Sequence, residues 1–217
     1  MTSASFMYYS TDPASTIQFA YPRIDLIDGT EPSIAELLAN GPSVIKDLSP
    51  YSNHHLITGN PVIPYDKTKN GQLTFNGTAQ TISKASALSG VSNRCTVVIC
   101  YSTSDTYELW VRGSYNNSNY LAASYPGQGY YNANCGTPEY YVDTVRCYNP
   151  ISEGYRNGLY HMFEAKNVDF SGWTSYEWFG YSGGFELVGS VAAILVYNRV
   201  LTADESKRNF AALRGRF

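Results

Sequence analysis

The sequence predicts an all-β fold, a sandwich of two antiparallel sheets closed by one short C-terminal helix. Segments of strand length recur about every ten residues with turn residues between them, which is typical of sandwiches. Charged residues make up only 15% of the 217 residues, well below the usual level of about 25%. Polarity rests instead on Ser, Thr, Asn, Gly and Tyr, the residues of strands and turns.

The elements follow in order along the chain. Residues 1–20 show no clear period and are expected to form an arm or edge segment that precedes a single domain at 21–217. Residues 33–40 are predicted to form a helix, which Gly41 and Pro42 end. Residues 113–138 are expected to be largely loop, with room for one or two short strands. The predicted strands are 73–75, 81–83, 95–101, 107–111, 140–147, 159–165, 177–181 and 185–196. Residues 95–101 are nearly all apolar or β-branched, so this strand is expected to be buried on both faces.

The end of the chain predicts a closing helix. After an apolar run of strand length, Thr202 and Glu205 have the spacing of a capping box. Phe210 and Leu213 then lie one turn apart on one face. Gly215 is placed to end the helix. We expect this helix to lie across a sheet face or edge with Phe210 and Leu213 buried.

Three stretches carry a family resemblance: ILVYNRVLTADESKRNFAALRGRF at 194–217, DLSPYSNHHL at 47–56 and GQLTFNGT at 71–78. Together they resemble the concanavalin A-like lectin/laminin G-like jelly roll, in the version common in phage virion proteins. The likeness covers about residues 44–217 and is loose between 90 and 190. It implies a jelly-roll sandwich and a protein of the virion surface, assembled in a host cytoplasm.

Composition excludes several classes of function. The net charge of −3 predicts no basic surface for nucleic acid. No apolar run approaches the roughly 20 residues that cross a bilayer, so no membrane insertion is expected. The N-terminus lacks the basic start and apolar core of a signal peptide.

Catalytic residues are not expected. Glycosidases on this fold use acids at Glu-x-Asp-x-Glu spacing, which gives carboxyl groups about 5–9.5 Å apart. Glu139 and Asp143 are separated by roughly 13 Å of strand, and Glu177 stands isolated from other acids. A glycan hydrolase is therefore disfavoured. The three histidines, at 54, 55 and 161, are expected to be structural.

No cofactor is expected, and the metal content is left open. Relatives of this fold often hold calcium, but the Asp residues here lack ligand spacing, and Asp47 is expected to cap a turn. Cys95 and Cys100 predict buried thiols on opposite faces of a strand. Cys135 and Cys147 could pair across a hairpin, although a reducing cytoplasm disfavours that.

Aromatic residues among short amides give the candidate ligand surface. Tyrosine supplies contact area at low entropic cost while Ser, Gly and Asn adapt to a ligand. The alternative is that many of these rings cover the sandwich edge or pack between subunits. The candidate ligand-binding residues are Tyr120, Tyr125, Tyr130, Tyr131, Asn132, Asn134, Trp173 and Trp178.

Two functional hypotheses follow. The first is a phage virion structural protein, a capsid decoration or tail-associated component that contacts other virion proteins and forms a homo-oligomer. The second is a carbohydrate-binding adhesin that grips a host surface polysaccharide through loops at 113–136 and 171–184. The two roles can coexist in one protein.

Overall fold

The computed structural model is an all-β sandwich of two antiparallel sheets with one short helix, as the sequence predicts. It describes residues 44–45, 51, 53–58, 65–66, 72–78, 80–104, 108–113, 119–125, 129–180 and 186–214. The described residues belong to one compact unit, Pro32–Phe217. The predicted arm at 1–20, the predicted helix at 33–40, Asp47 and Gly215 lie outside the described residues.

The described strands divide between two sheets, here named sheet A and sheet B. In chain order they are β1 (Val44–Ile45), β2 (His55–Thr58), β3 (Tyr65–Asp66), β4 (Gln72–Asn76), β5 (Thr81–Lys84), β6 (Cys95–Thr103), β7 (Glu108–Gly113), β8 (Asn119–Tyr125), β9 (Gly129–Ala133), β10 (Gly136–Val142), β11 (Val145–Arg146), β12 (Tyr160–Val168), β13 (Tyr176–Trp178) and β14 (Val188–Tyr197). Sheet A has the order β1-β2-β5-β13-β7-β8-β9, and sheet B the order β11-β10-β12-β6-β14-β4-β3.

The main core lies between the inner faces of the two sheets and is rich in aromatic rings. The rings of Tyr101 on β6 and Phe163 on β12 have centroids 4.5 Å apart. Trp110 reaches across from β7, and its indole Nε1 donates a hydrogen bond of 2.8 Å to the Tyr101 hydroxyl. Burial of these rings removes a large apolar area from water, which is the main source of stability in a fold of this kind.

Helix α1 (Ala203–Leu213) packs on the outer face of sheet B. The predicted capping box is present, with the Thr202 hydroxyl accepting from the Glu205 backbone N–H. Leu213 is buried and Phe210 half-buried against a second apolar cluster on strands β6, β12 and β14. The predicted capping box and the burial of Leu213 are confirmed, whereas Phe210 is only half-buried. Strand β6 is buried on both of its faces as expected.

Two predictions of local structure need correction. Residues 113–138 hold more strand than expected, because β8, β9 and the start of β10 occupy most of them. The strand predicted at 140–147 is instead the hairpin β10–β11, turning at Asp143 and Thr144, whose φ angles are +48° and +74°. Two consecutive positive φ angles give a two-residue turn whose twist matches the flanking strands.

All four cysteines are buried free thiols. Cys95 belongs to the main core and Cys100 to the cluster under helix α1, so they face opposite sides of β6 as predicted. Burial raises the pKa of Cys135 to about 12. Among the described residues, no helix has both the length and the apolar character to cross a membrane.

Candidate functional site

The two tryptophans proposed as ligand contacts are core residues, so this part of the hypothesis is wrong. Trp173 is 2% exposed and Trp178 is 1% exposed. The Trp173 ring packs so closely on Gly113 that a Cβ there would come within 2.4 Å of it. Trp178 Nε1 lies 3.1 Å from His55 Nε2. Neither ring can stack on a solute, because each is enclosed by the sandwich.

Two of the remaining candidates, Tyr120 and Asn132, lie on opposite faces of sheet A. Tyr120 pairs with Ala133, whereas the next residue, Leu121, pairs with Asn132. Directly opposite residues in antiparallel strands share a face, so Tyr120 lies on the outer face of sheet A and Asn132 on the inner face. Asn132 there donates to the buried Tyr140 hydroxyl at 3.1 Å.

For the four other candidates, the structure gives the strand or turn in which each residue lies. Asn134 is exposed in the turn after β9, with a φ of +46°, and its carbonyl accepts a hydrogen bond from Trp173 Nε1 at 3.0 Å. Tyr125 belongs to β8, and Tyr130 and Tyr131 belong to β9; their side chains lie outside the described part of the structure. Their role in binding stays a prediction.

A row of side chains crosses the outer face of sheet A. Leu56 on β2 pairs with Ser83 on β5, and Ser83 pairs with Glu177 on β13. Glu177 pairs with Arg112 on β7, which in turn pairs with Tyr120 on β8. We call these five residues the outer row. The neighbouring row, which includes Ile82, Trp178 and Val111, points into the core.

An ion pair stands at the middle of the outer row. The guanidinium of Arg112 donates to the carboxylate of Glu177 through Nε, and its Nη2 contacts the same oxygen. The side chains are 14% and 31% exposed, respectively. Such a pair holds both groups in fixed positions and presents a donor and an acceptor side by side. The sequence interpretation, which treated Glu177 as isolated, missed this pair.

A depression of about 210 Å³ opens beside this ion pair. It lies where β5 ends and β13 begins, and its lining combines hydroxyl and charged groups with a larger share of apolar atoms. The lining residues are Ser83, Lys84, Ala85, Arg112, Ser175, Tyr176 and Glu177. Pockets for drug-sized ligands run from about 300 to 1,000 Å³, so this depression has room for one small polar unit.

Several carboxylates of the described structure are bound to a cationic group or a histidine. The pairs are Glu177 with Arg112, Glu139 with Arg146, Glu164 with Lys166, Asp143 with His161, and Glu205 with Arg199. His161 is half-buried and satisfied, with Nδ1 2.7 Å from Asp143 and Nε2 3.2 Å from Asn157. Among the described residues, no three acidic, cysteine or histidine side chains converge as a metal site.

Comparisons with models of protein families, with curated proteins and with solved structures found no match. The resemblance of residues 194–217 to phage virion proteins therefore remains an expectation from sequence. The outer row and the depression beside it are the candidate functional site, because they combine a rigid sheet, fixed charges and solvent access.

Proposed function

We propose that this chain is a non-catalytic binding module of a phage virion surface, either a capsid decoration or a tail-associated component. The observation that carries the binding role is the difference between the outer faces of the two sheets. Helix α1 covers the central strands of sheet B. Sheet A instead presents the outer row, where Leu56 is 55% exposed. The assignment to phage rests on the sequence resemblance alone, carried mainly by residues 194–217 and added to by residues 47–56 and 71–78.

The chemistry of the outer row favours contact over reaction. Glycosidases on this chemistry use two carboxyl groups that flank the scissile bond. Glu177 is the one acidic residue among those that line the depression, and it is bound to the guanidinium of Arg112. The row then offers fixed donors and acceptors on the outer face of a sheet, which suits other virion proteins, further copies of this chain or a polysaccharide.

Particle imaging tests the virion assignment. Gold-labelled antibodies raised against the purified chain would be applied to intact particles of the phage that encodes it. We expect label at regular positions on the capsid or tail. Phage lacking the gene provide the control. Label confined to lysed cells, with bare particles, would contradict the assignment.

The second candidate, a host-glycan adhesin, is favoured by the depression beside Arg112 and Glu177. A glycan array with the full chain tests it. Arg112→Ala should abolish the signal if the outer row is the site, and Arg208→Ala, on the exposed side of helix α1, should not. A blank array for the unaltered chain would remove the adhesin candidate and leave the virion assignment in place.

A further inference from the structure

The imidazole ring of His55 is held between two groups that fix where its proton lies. Its Nδ1 is 2.8 Å from the backbone carbonyl oxygen of Asn53, which can only accept a hydrogen bond. Its Nε2 is 3.1 Å from the indole Nε1 of Trp178, which can only donate. His55 therefore carries its proton on Nδ1 and accepts through Nε2, so its two partners match the neutral ring.

A second proton on this ring would set two donors against each other. Trp178 is 1% exposed, so its indole N–H has little access to water as a substitute acceptor. A buried donor that loses its acceptor keeps the full cost of its desolvation. The charged ring of His55 must therefore leave Trp178, whereas the neutral ring stays bound.

The groups that face His55 from the paired strands do not favour its charged form. The register between β2 and β5 places Lys84 opposite His55, and the ammonium of Lys84 disfavours a second positive charge beside it. Lys84 pairs in turn with Tyr176 on β13, whose pKa is raised by burial, so this hydroxyl stays neutral. On the other side, the apolar Ile45 of β1 pairs with His55. His54 precedes it in the chain and is exposed.

The acceptor of the Nδ1 proton is itself anchored. The Asn53 side chain donates to the carbonyl of Ser89 at 3.0 Å and accepts from the Ser89 backbone N–H at 2.7 Å. This contact comes from the connection that follows β5 and brings no charge to the ring. His55 thus joins the segment before β2 to β13, which lies two strands away from β2 in sheet A.

We propose that His55 is an acid-sensitive switch that holds β2, and β1 paired with it, on the rest of sheet A. The neutral ring ties β2 to β13 through Trp178, and the charged ring releases it. A histidine in the open form takes up its proton near pH 6.5. The closed form keeps the ring neutral, so its advantage over the open form is complete above that pH and declines below it. Leu56, the end of the outer row, lies on β2, so acid would also release that end of the row.

Hydrogen exchange of the full chain, followed by NMR and corrected for the intrinsic rate at each pH, tests the switch. The protection factors of the β2 amides should fall by up to about thirtyfold between pH 7.5 and pH 5, the ratio expected when only the open form binds the proton. Those of the β6 amides should change much less. Unchanged protection of β2 would overturn the proposal, and so would an equal fall in β6, which would show that the whole domain opens.

Two substitutions separate His55 from other groups that titrate in this range. His55→Gln should remove most of the fall in β2, because a glutamine oxygen accepts from Trp178 at either pH. His54→Gln, at the exposed neighbour, should keep the fall. An equal fall in both variants would contradict the role of His55. The ¹⁵N chemical shifts of the unaltered chain provide a test that needs no variant, since a proton on Nε2 of His55 at pH 7.5 would also exclude the switch.

Discussion

The Nζ atom of Lys166 lies 3.0 Å from Oε1 of Glu164, and both side chains are buried where helix α1 meets sheet B. Lys166 also donates to the backbone carbonyl of Leu201 at 2.9 Å. Ser206, on the helix, donates to the same oxygen of Glu164 at 2.8 Å. This pair therefore joins the strand β12 to both the connection that precedes the helix and the helix itself.

Removal of one partner of this pair should be costly. We expect Lys166→Met to lower the free energy of unfolding by about 3–5 kcal/mol, because it leaves the carboxylate of Glu164 buried without its cation. The double variant Glu164→Gln with Lys166→Met should regain most of that loss. Urea unfolding measures both. Lys207→Met, on the exposed helix face, is the control, and a Lys166→Met loss as small as that of the control would contradict the prediction.

Helix α1 should lose a contribution to its stability in acid. Hydrogen bonds from Arg199, and then from the backbone N–H of Thr202, lower the pKa of Glu205 to about 2. A carboxyl whose pKa is lower in the folded state stabilises that state above its unfolded pKa of about 4.3. The contribution is then lost as the pH falls from there towards 2.

Circular dichroism of urea unfolding at several pH values measures this effect. The stability difference between the unaltered chain and Glu205→Gln should be constant above about pH 5 and shrink below it. Arg199→Gln should move this change to higher pH, because it removes the largest cause of the lowered pKa. A difference that stays constant from pH 7 to pH 2 would exclude the capping role of the carboxylate.

Trp173 should behave as a core residue and not as a ligand contact. Trp173→Ala should lower the free energy of unfolding by about 3–5 kcal/mol, the usual cost of deleting a buried large ring. Tyr148→Ala, at a tyrosine that is 75% exposed, should cost less than about 1 kcal/mol. Thermal unfolding of both variants compares them, and equal melting temperatures would show that the Trp173 ring is not packed as described.

Sequence patterns identified the elements whose signals are local. The apolar run of β6 and the capping box of helix α1 were both predictable because their cause lies within a few neighbouring residues. The turn at Asp143 and Thr144 was not predictable from the neighbouring residues. It lacks the Asn-Gly or Asp-Gly signal of such turns, and a carboxyl oxygen of Asp143 is bound by the distant backbone N–H of Met162 at 2.8 Å.

The candidate site was harder to predict because its charged residues are far apart in sequence and are brought together only by the order of strands in sheet A. Alternation places Glu177, between the buried Tyr176 and Trp178, on the outer face. Its partner Arg112 is 65 residues away, and they meet because β13 lies between β5 and β7 in sheet A. Likewise, a segment with tryptophan next to Gly and Ser can be a binding loop or part of a core. The local sequence therefore could not show that Trp173 is buried.

The position of helix α1 at the end of the described chain also determines what a truncated chain would expose. The strands of sheet B precede the helix, which covers Met162, Leu195 and Cys100. A chain cleaved between Tyr197 and Ala203 would keep the strands of both sheets but leave this apolar surface exposed to water. Contiguous surfaces of that kind promote self-association. Proteolysis at this point would thus favour aggregation.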